Sequence, residues 1–234
     1  MNDRRAVKGE AVQGREAKER LNEQFSRTAG ALVSPHRIEV LELLAQGERT
    51  VEALATVAGM GITNTSAHLQ VLRRAGLVEG RKEGTKVHYR LSGNDVAAFV
   101  AALRELARTR GAEVERVVRD YFVARDVLKP LTREELIERS SRGDVVIIDV
   151  RPAEEFRAGH IPGALSVPLD RLDQTLTKLR KRTEVVAYCR GPYCVLAPQA
   201  IERLRAKGYR ARRLEGGMPE WRLAGLPVAM EGDQ

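Results

Sequence analysis

Two hydrophobic patterns divide the chain. In the first half, apolar residues recur at helical spacing, beginning with Ala17, Leu21, Phe25 and Ala29 in a helix predicted over 15–33. In the second half, short apolar runs alternate with helical segments. The change of pattern predicts two domains of different fold class, and a chain of 234 residues is long enough for both.

Three more helices and a hairpin are predicted in the first half. Ser34 is a helix cap, Pro35 suits a first helical turn, and Thr50 caps the next helix. Strict alternation around a Glu83-Gly84 turn predicts a β-hairpin. The predicted elements are a helix from 34 to 47, a helix over 51–58, a helix over 63–75 and a hairpin over 77–91.

A long amphipathic helix is predicted over 95–125. Its apolar stripe begins with Val96, Phe99 and Val100 and continues past Gly111, where we expect a kink. A helix of this length with one apolar side needs a partner surface. We expect it to pair with the same helix of a second copy of the chain, and an intrachain clamp is the alternative.

Strands and helices alternate in the second half, which predicts a parallel sheet with helices on both faces. The predicted elements are strands over 145–150, 185–188 and 211–214 and a helix over 197–207. The predicted fold class is therefore a mainly α winged helix-turn-helix domain followed by an α/β domain. Their predicted limits are 1–126 and 131–234, with a linker at 127–130 that contains Lys129-Pro130.

Composition says little about the partners of the protein or its place in the cell. The net charge is +8, and the basic excess is spread over both halves, so charge alone does not locate a nucleic-acid face. No apolar run approaches the ~20 residues of a membrane span. The N-terminal residues lack the apolar stretch of a signal peptide. We expect a cytoplasmic protein without a membrane partner.

The fourth helix and the hairpin are the predicted DNA-contacting elements. Ser66, Gln70 and Arg73 share one helix face, and a small polar face with a basic end suits the major groove. Solvated faces are the alternative, but the order helix-turn-helix then hairpin favours DNA. The predicted contact residues are Thr63, Asn64, Ser66, His68, Gln70, Arg73 and Arg74 on the helix, with Arg81, Lys82, Lys86 and Arg90 on the hairpin.

The stretch 32–91 resembles the ArsR family of bacterial winged-helix repressors. The matching segments are Ser34-Pro35-His36-Arg37-Ile38, the run HLQVLRRAGLV at 68–78, Arg81-Lys82-Glu83-Gly84, and the run VHYRL at 87–91. The resemblance implies a homodimer that binds a palindromic operator in double-stranded DNA.

Metal sensing, which many ArsR relatives perform, is disfavoured. Such relatives use cysteines at the start of the third helix, or acidic and histidine residues on the last helix. Here positions 48–52 read ERTVE, the last helix of this half has no histidine, and the four histidines of the chain form no ligand spacing. We predict no metal site and no cofactor.

The chain has two cysteines, Cys189 and Cys194. Cys189 follows a buried strand and precedes a loop and a helix, so loop N–H groups and the helix dipole should lower its pKa, to roughly 3.5–7.5. Arg190 adds positive charge. Cys189 is therefore the predicted nucleophile, and a buried structural cysteine is the alternative. For Cys194 we favour a packing role.

Residues 131–234 resemble a single rhodanese domain. The matching motifs are Ile148-Asp149-Val150-Arg151, Glu155-Phe156, the run GHIPGAL at 159–165, Tyr188-Cys189-Arg190-Gly191, and the run GGMPEW at 216–221. The resemblance implies that Cys189 attacks the outer sulfur of thiosulfate or another sulfane donor. It would hold that sulfur as a persulfide and pass it to cyanide or a thiol, which is thiosulfate sulfurtransferase activity.

The resemblance also assigns roles around Cys189. Asp149 and Arg151 would be supporting residues, paired with neighbouring backbone rather than reacting, and His160 would be structural. The active-site loop would comprise Arg190, Gly191, Pro192, Tyr193, Cys194 and Val195.

The loop departs from the common rhodanese pattern. Many sulfurtransferases have glycine three residues after the cysteine, whereas this chain has Pro192 there and glycine at 191. Proline donates no N–H, so one loop donor is missing. A related branch uses a longer loop for phosphate or arsenate chemistry, and a helix that begins after Val195 would keep that branch open.

Our leading hypothesis is a dimeric transcriptional regulator that senses or transfers sulfane sulfur through Cys189. The second is a sulfurtransferase enzyme in which the DNA-binding half localises or dimerises the protein. The third is an arsenate reductase or phosphatase that uses the same cysteine loop. A metal-responsive repressor comes last.

Overall fold

The structure is a computed structural model that describes residues 3–126, 128–175 and 181–230, with side chains from residue 13 onward. Its contacts divide the chain into two units, Met1–Leu41 with Arg49–Ser92, and Glu42–Glu48 with Gly93–Gln234. The predicted domain limits of 1–126 and 131–234 stay a prediction. Positions 1–2, 231–234 and position 127 of the predicted linker lie outside the described residues.

The first 92 residues contain the predicted helices and hairpin. The elements are α1 (Asp3–Gly30), α2 (Pro35–Leu44), β1 (Arg49–Thr50), α3 (Val51–Val57), α4 (Ile62–Arg74), β2 (Val78–Glu83) and β3 (Lys86–Leu91). The sheet is antiparallel with the order β1-β3-β2. This arrangement confirms the predicted winged helix-turn-helix.

A helix cap and a small apolar core account for the start of α3 and its packing on α4 in the first unit. Thr50 caps α3, and its hydroxyl accepts a hydrogen bond from the Ala53 N–H at 3.3 Å. Leu54 of α3 is buried together with Leu69 and Leu72 of α4, as the helical spacing predicts. Strand β1 was not predicted, because two residues are too short to show alternation.

Helix α1 starts earlier and ends earlier than the predicted 15–33. The apolar residues Leu21 and Phe25, which define its predicted stripe, are exposed in the single chain. The stripe therefore buries nothing within the described part of this chain.

The predicted helix over 95–125 is broken at Gly111. Helix α5 (Asn94–Arg110) ends there, and α6 (Ala112–Val117) follows with a π-helical turn at Val118–Phe122 and a 3-10 turn at Val123–Arg125. A Cβ atom at Gly111 would lie 2.7 Å from the Ala107 carbonyl oxygen. The expected kink is confirmed as a break that only glycine fits without strain.

The remaining elements build the predicted α/β domain. They are α7 (Arg133–Ser141), β4 (Val145–Asp149), α8 (Ala153–Arg157), β5 (Leu165–Ser166), α9 (Leu172–Thr175), β6 (Glu184–Tyr188), α10 (Leu196–Ala206), β7 (Ala211–Arg213) and α11 (Met218–Leu223). The strand order is β5-β4-β6-β7, and all pairs are parallel. The short strand β5 was not predicted.

Helices cover both faces of this sheet, as predicted. On one face, Val185 and Ala187 of β6 pack in a core with Ile201 of α10. On the other face, Val186 packs in a core with Trp221 of α11. Strands that are buried on both faces read as continuous apolar runs, which is how β4 and β6 read in the sequence. The carboxyl end of the central strand β6 leads directly into Cys189.

Candidate functional site

Cys189 lies at the carboxyl end of β6, where open α/β sheets commonly bind ligands. Its side chain is almost completely buried, with 2% of its surface exposed. Its backbone carbonyl accepts a hydrogen bond from the Met218 N–H at 3.1 Å, at the start of α11. Strand β6, which precedes it, and the start of α11 therefore fix the backbone of Cys189.

The surroundings of the Cys189 sulfur favour the neutral thiol. Its Sγ lies 3.9 Å from the Gly191 carbonyl oxygen and 3.7 Å from that of Cys194, and both oxygens are acceptors. Burial raises the pKa of Cys189 well above its usual value, and N–H groups of Ala197 and Gly191 offset this only in part. The predicted lowering of the Cys189 pKa is therefore wrong, because the loop removes water from the sulfur.

Cys194 is the more acidic of the two thiols. It is partly exposed, and its N–H donates to the Gly191 carbonyl at 3.2 Å, which turns the loop back toward Cys189. A hydrogen bond from the Cys189 thiol lowers the pKa of Cys194 to about 7, against the opposing effect of burial. The sequence predicted only a packing role for Cys194. It did not predict the hydrogen bond with Cys189, because the sequence does not show the turn at Gly191.

Asp149 and Arg151 form a fully buried ion pair behind the loop. The Arg151 guanidinium donates from Nε to Oδ1 at 2.9 Å and from Nη2 to Oδ2 at 2.5 Å. Nη2 also donates to the Gly159 carbonyl at 2.9 Å. The expected pairing with neighbouring backbone is present, since the Arg151 N–H donates to Asp149 Oδ1 at 3.0 Å and Arg151 Nη2 donates to Gly159. The resemblance did not show that the two side chains also pair with each other.

Gln46 was missed by the sequence analysis. Its buried side chain lies in the Glu42–Glu48 segment, which belongs to the same unit as the rhodanese-like sheet, Gly93–Gln234. Its Oε1 accepts from Arg151 Nη1 at 3.0 Å, and its Nε2 donates to the Arg190 carbonyl at 3.1 Å. Gln46 thereby links the buried ion pair to the peptide that follows Cys189. A single glutamine after a helix gives no sequence signal for this contact.

Arg190 is held by a carboxylate. Its Nη2 donates to Glu155 Oε1 at 2.7 Å, and Glu155 is buried. The positive charge that the sequence places beside Cys189 is therefore largely compensated. Glu155 belongs to the Glu155-Phe156 motif of the rhodanese resemblance, but that motif alone assigns it no role.

The turn before α11 supports the loop from the opposite side. A Cβ atom at Gly217 would lie 2.4 Å from the Gly191 nitrogen and 2.5 Å from the Cys189 carbonyl oxygen. The Glu220 carboxylate accepts from the Gly217 N–H at 2.9 Å. Burial raises the pKa of Glu220. Only glycine leaves room at position 217 for the loop backbone.

The remaining loop residues lie between Cys189 and α10. The Tyr193 ring meets the Phe122 ring edge-on, with centroids 6.0 Å apart. Pro192 is partly buried and Val195 is exposed. Because α10 begins at Leu196, after Val195, the helix has the late start that leaves the longer-loop alternative open.

A cavity of about 400 Å³ adjoins the loop. Arg190 of the loop and Leu196, which follows the loop, form part of the cavity wall. Its charged lining is mixed, with Arg171 and Arg190 against Glu154 and Asp170. The cavity is large enough for a small sulfur donor.

His160 packs against Phe156. Its Nδ1 lies 3.0 Å from the Phe156 carbonyl oxygen, and its ring stacks on the Phe156 ring at 3.7 Å. These contacts are those of a packing residue.

The predicted DNA-contact residues lie on α4 and on the β2–β3 hairpin. Most of them are exposed, while Ser66 and His68 are partly buried. The His68 ring lies 5.6 Å from the His36 ring. Two hairpin arginines have acidic neighbours, Arg81 with Glu83 at 2.7 Å and Arg90 with Glu79 at 2.8 Å.

The described residues contain neither a cluster of metal ligands nor a helix that could span a membrane. Among them, no group of three or more histidine, cysteine, aspartate or glutamate side chains is arranged to hold a metal ion. Nor does any helix among them have the length and apolar character needed to cross a bilayer.

Comparison with known proteins supports the family resemblance of each half of the chain. The family model for bacterial regulatory proteins of the arsR family matches residues 34–80, and the model for the rhodanese-like domain matches residues 132–224. An HTH-type transcriptional regulator of Mycobacterium tuberculosis is 47% identical over 208 residues, which cover 89% of this chain and 91% of the relative. The chain belongs to the ArsR-type transcriptional regulators with a rhodanese-like domain.

Other relatives of this ArsR–rhodanese regulator match one half each. A sulfurtransferase of Allochromatium vinosum is 37% identical over 91 residues, covering 38% of this chain and 83% of the relative. A winged helix-turn-helix fragment from Mycobacterium bovis, described as homodimeric, is 46% identical and covers 41% of this chain and 89% of that structure, with a TM-score of 0.39.

Proposed function

We propose that this regulator binds operator DNA and carries sulfane sulfur on Cys189, which it senses or transfers. The observation that carries the proposal is the position of Cys189. It lies in a loop braced by Gln46, Glu155 and Gly217, in a chain that also has a winged helix. The contacts of Gln46 and Glu155 with Arg190, and the close approach of Gly217 to the loop backbone, support a preorganised site rather than an ordinary core cysteine.

The proposed chemistry begins with transfer of the Cys189 proton to solvent water. The thiolate attacks the outer sulfur of thiosulfate, the sulfur–sulfur bond of the donor breaks, and sulfite leaves with the electron pair. Cys189 then holds one extra sulfur as a persulfide, which a thiol or cyanide can accept. The adjoining cavity of about 400 Å³ would admit a donor of this size.

The DNA-binding part of the proposal rests on α4 and the hairpin. Exposed Gln70 and Arg73 would reach base edges, and exposed Lys82 and Lys86 would hold phosphates. We expect a homodimer on a palindromic operator, because the apolar residues of α1 and α5 that lie exposed in the single chain would be covered by a second copy. We also place the protein in the cytoplasm.

Sulfite release tests the sulfur chemistry. Reduced protein is mixed with thiosulfate, without added thiol, and sulfite is measured per chain. The proposal predicts about one equivalent from the wild type and none from Cys189→Ser. Release by the Cys189→Ser variant at the wild-type level would refute a role for Cys189.

A steady-state thiocyanate assay separates the sensor from the enzyme. Continuous turnover with cyanide as acceptor would support a sulfurtransferase whose DNA-binding half localises or dimerises the protein. Loading to a single equivalent without turnover would support a sensor.

An arsenate reductase or phosphatase is the second candidate, and the start of α10 at Leu196 favours it. Two contacts oppose it. The Cys189 sulfur meets two carbonyl oxygens, and the arginine of the loop is bound by Glu155. Arsenate-dependent oxidation of the thiols, with no sulfite from thiosulfate, would support this candidate over sulfur transfer.

A further inference from the structure

The two cysteines of the chain lie in one loop and differ in accessibility. Cys189 is buried, whereas Cys194 is partly exposed. The turn formed by the Cys194 N–H and the Gly191 carbonyl brings residue 194 back toward residue 189, and the Cys189 sulfur lies 3.7 Å from the Cys194 carbonyl oxygen. The Cys189 and Cys194 side chains are also hydrogen-bonded to each other, so a persulfide formed on Cys189 would have a second thiol as its neighbour.

An external acceptor reaches the same sulfur less easily. Burial of Cys189 leaves little surface for a bulky thiol, and the Gly191 and Cys194 carbonyl oxygens lie against its sulfur. An attacking group held in the same loop has an effective concentration far above that of a free thiol in solution. Geometry therefore favours Cys194 as the first acceptor.

We propose that Cys194 resolves the Cys189 persulfide and releases sulfide, so that the pair acts as a dithiol that reduces sulfane sulfur. The Cys194 sulfur bonds to the Cys189 sulfur, the bond to the outer sulfur breaks, and the outer sulfur leaves as hydrosulfide with the electron pair and the Cys194 proton. The product is a Cys189–Cys194 disulfide. This inference rests on the proposed persulfide at Cys189.

The reaction balances without an oxidant. The donor loses its sulfane sulfur as sulfide, and the two cysteine thiols supply the two electrons. Two molecules of a low-molecular-weight thiol would return the disulfide to the dithiol and leave as their own disulfide. The acidity of Cys194, whose pKa lies at about 7, agrees with an attacking thiol near neutral pH.

The test follows the sulfur atom in the full chain. Reduced protein is mixed with thiosulfate anaerobically without added thiol, and sulfite, sulfide and the mass of the cysteine peptide are measured. The wild type should release about one equivalent each of sulfite and sulfide and lose two hydrogen atoms from the peptide. Cys194→Ser should gain one sulfur atom and release no sulfide. Protein incubated without thiosulfate should stay reduced.

Sulfide release with an added small thiol gives a second readout. We expect the rate for Cys194→Ser to be at least about tenfold below that of the wild type, because an intermolecular attack replaces an intramolecular one. Equal rates would overturn the resolving role of Cys194.

The outcomes separate this inference from the proposal on which it rests. Wild-type protein that releases sulfite but keeps the sulfur, as a persulfide or a trisulfide, would overturn sulfide release and leave sulfur loading intact. Wild-type protein that releases no sulfite would overturn the persulfide itself. The wild-type result does not depend on the folding of any variant.

Discussion

At the scale of single residues, burial raises the pKa of Cys189, whereas a hydrogen bond from Cys189 lowers the pKa of Cys194 to about 7. The sequence points to the loop after β6 as the candidate site, because a cysteine between a buried strand and a helix is a recognisable pattern. It does not show that two carbonyl oxygens face the Cys189 sulfur or that Cys194 turns back to it. Those contacts depend on backbone conformation within the loop, which residue types alone do not encode.

The order of thiol reactivity is a direct prediction. Iodoacetamide should label Cys194 first, at a rate that rises with pH through about 7, because only the thiolate reacts. Cys189 should stay slow, because burial raises its pKa. Peptide mass spectrometry across a pH series measures both rates.

Cys189→Ala is the matched control for this labelling. It removes the hydrogen bond that lowers the Cys194 pKa, so the Cys194 profile should move to higher pH. Faster labelling of Cys189 than of Cys194 at neutral pH would contradict the account.

The buried ion pair makes a stability prediction. Asp149→Asn leaves the Arg151 guanidinium buried without its carboxylate partner, and the free energy of unfolding should fall by about 3–5 kcal/mol. Urea denaturation followed by circular dichroism measures the change. Glu138→Gln removes an exposed pair with Arg142 and should cost less than about 1 kcal/mol. Equal losses from the two variants would show that the buried pair has no special role.

At the scale of elements, periodicity predicts what is long and misses what is short. Helices α2, α4 and α10 and strands β4 and β6 follow their patterns, because each has enough residues to show one. Strands β1 and β5 have two residues each and exist through pairing with neighbours distant in sequence. The break of the long helix at Gly111 was foreseeable, because glycine is the weakest helix former among the residues of that stretch.

The turn before α11 can be tested by adding one methyl group. Gly217→Ala places a Cβ against the backbone of Gly191 and Cys189, and neither backbone atom can yield as a flexible side chain would. We expect a loss of about 1–3 kcal/mol in stability and a marked drop in sulfite release. Gly30→Ala, which has open space around it, should change neither. A Gly217→Ala protein with wild-type release would contradict the proposed support of the loop.

The exposed stripe of α5 predicts how the chain assembles. Phe99 and Leu106 are 46% and 58% exposed in the single chain. If a second copy covers them, Phe99→Glu should convert a dimer to a monomer in analytical ultracentrifugation, because the interface would bury an unpaired charge. Ala98→Glu, also exposed on the same helix, is the control and should remain dimeric. A wild-type monomer at micromolar concentration would refute the dimer.

At the scale of the whole molecule, sequence alone identifies both halves and their order. The matches at 34–80 and 132–224 agree with the two resemblances drawn from short motifs. Sequence could not predict the hydrogen bonds of the buried Gln46. Its partners, Arg151 and the Arg190 carbonyl, lie more than a hundred positions away along the chain. Long-range contacts of one polar side chain leave no periodic trace.

Sensing, as proposed for this regulator, requires that the sulfur state of Cys189 changes the affinity for DNA, and this coupling is the central claim. A gel shift with the DNA upstream of the gene, comparing reduced and thiosulfate-treated protein, tests it most directly. The account predicts that the apparent Kd changes by at least about fivefold in the wild type, a typical coupling between sites, and stays constant in Cys189→Ser. The same apparent Kd for both states of the wild type, with sulfite release proving that Cys189 had reacted, would contradict the claim.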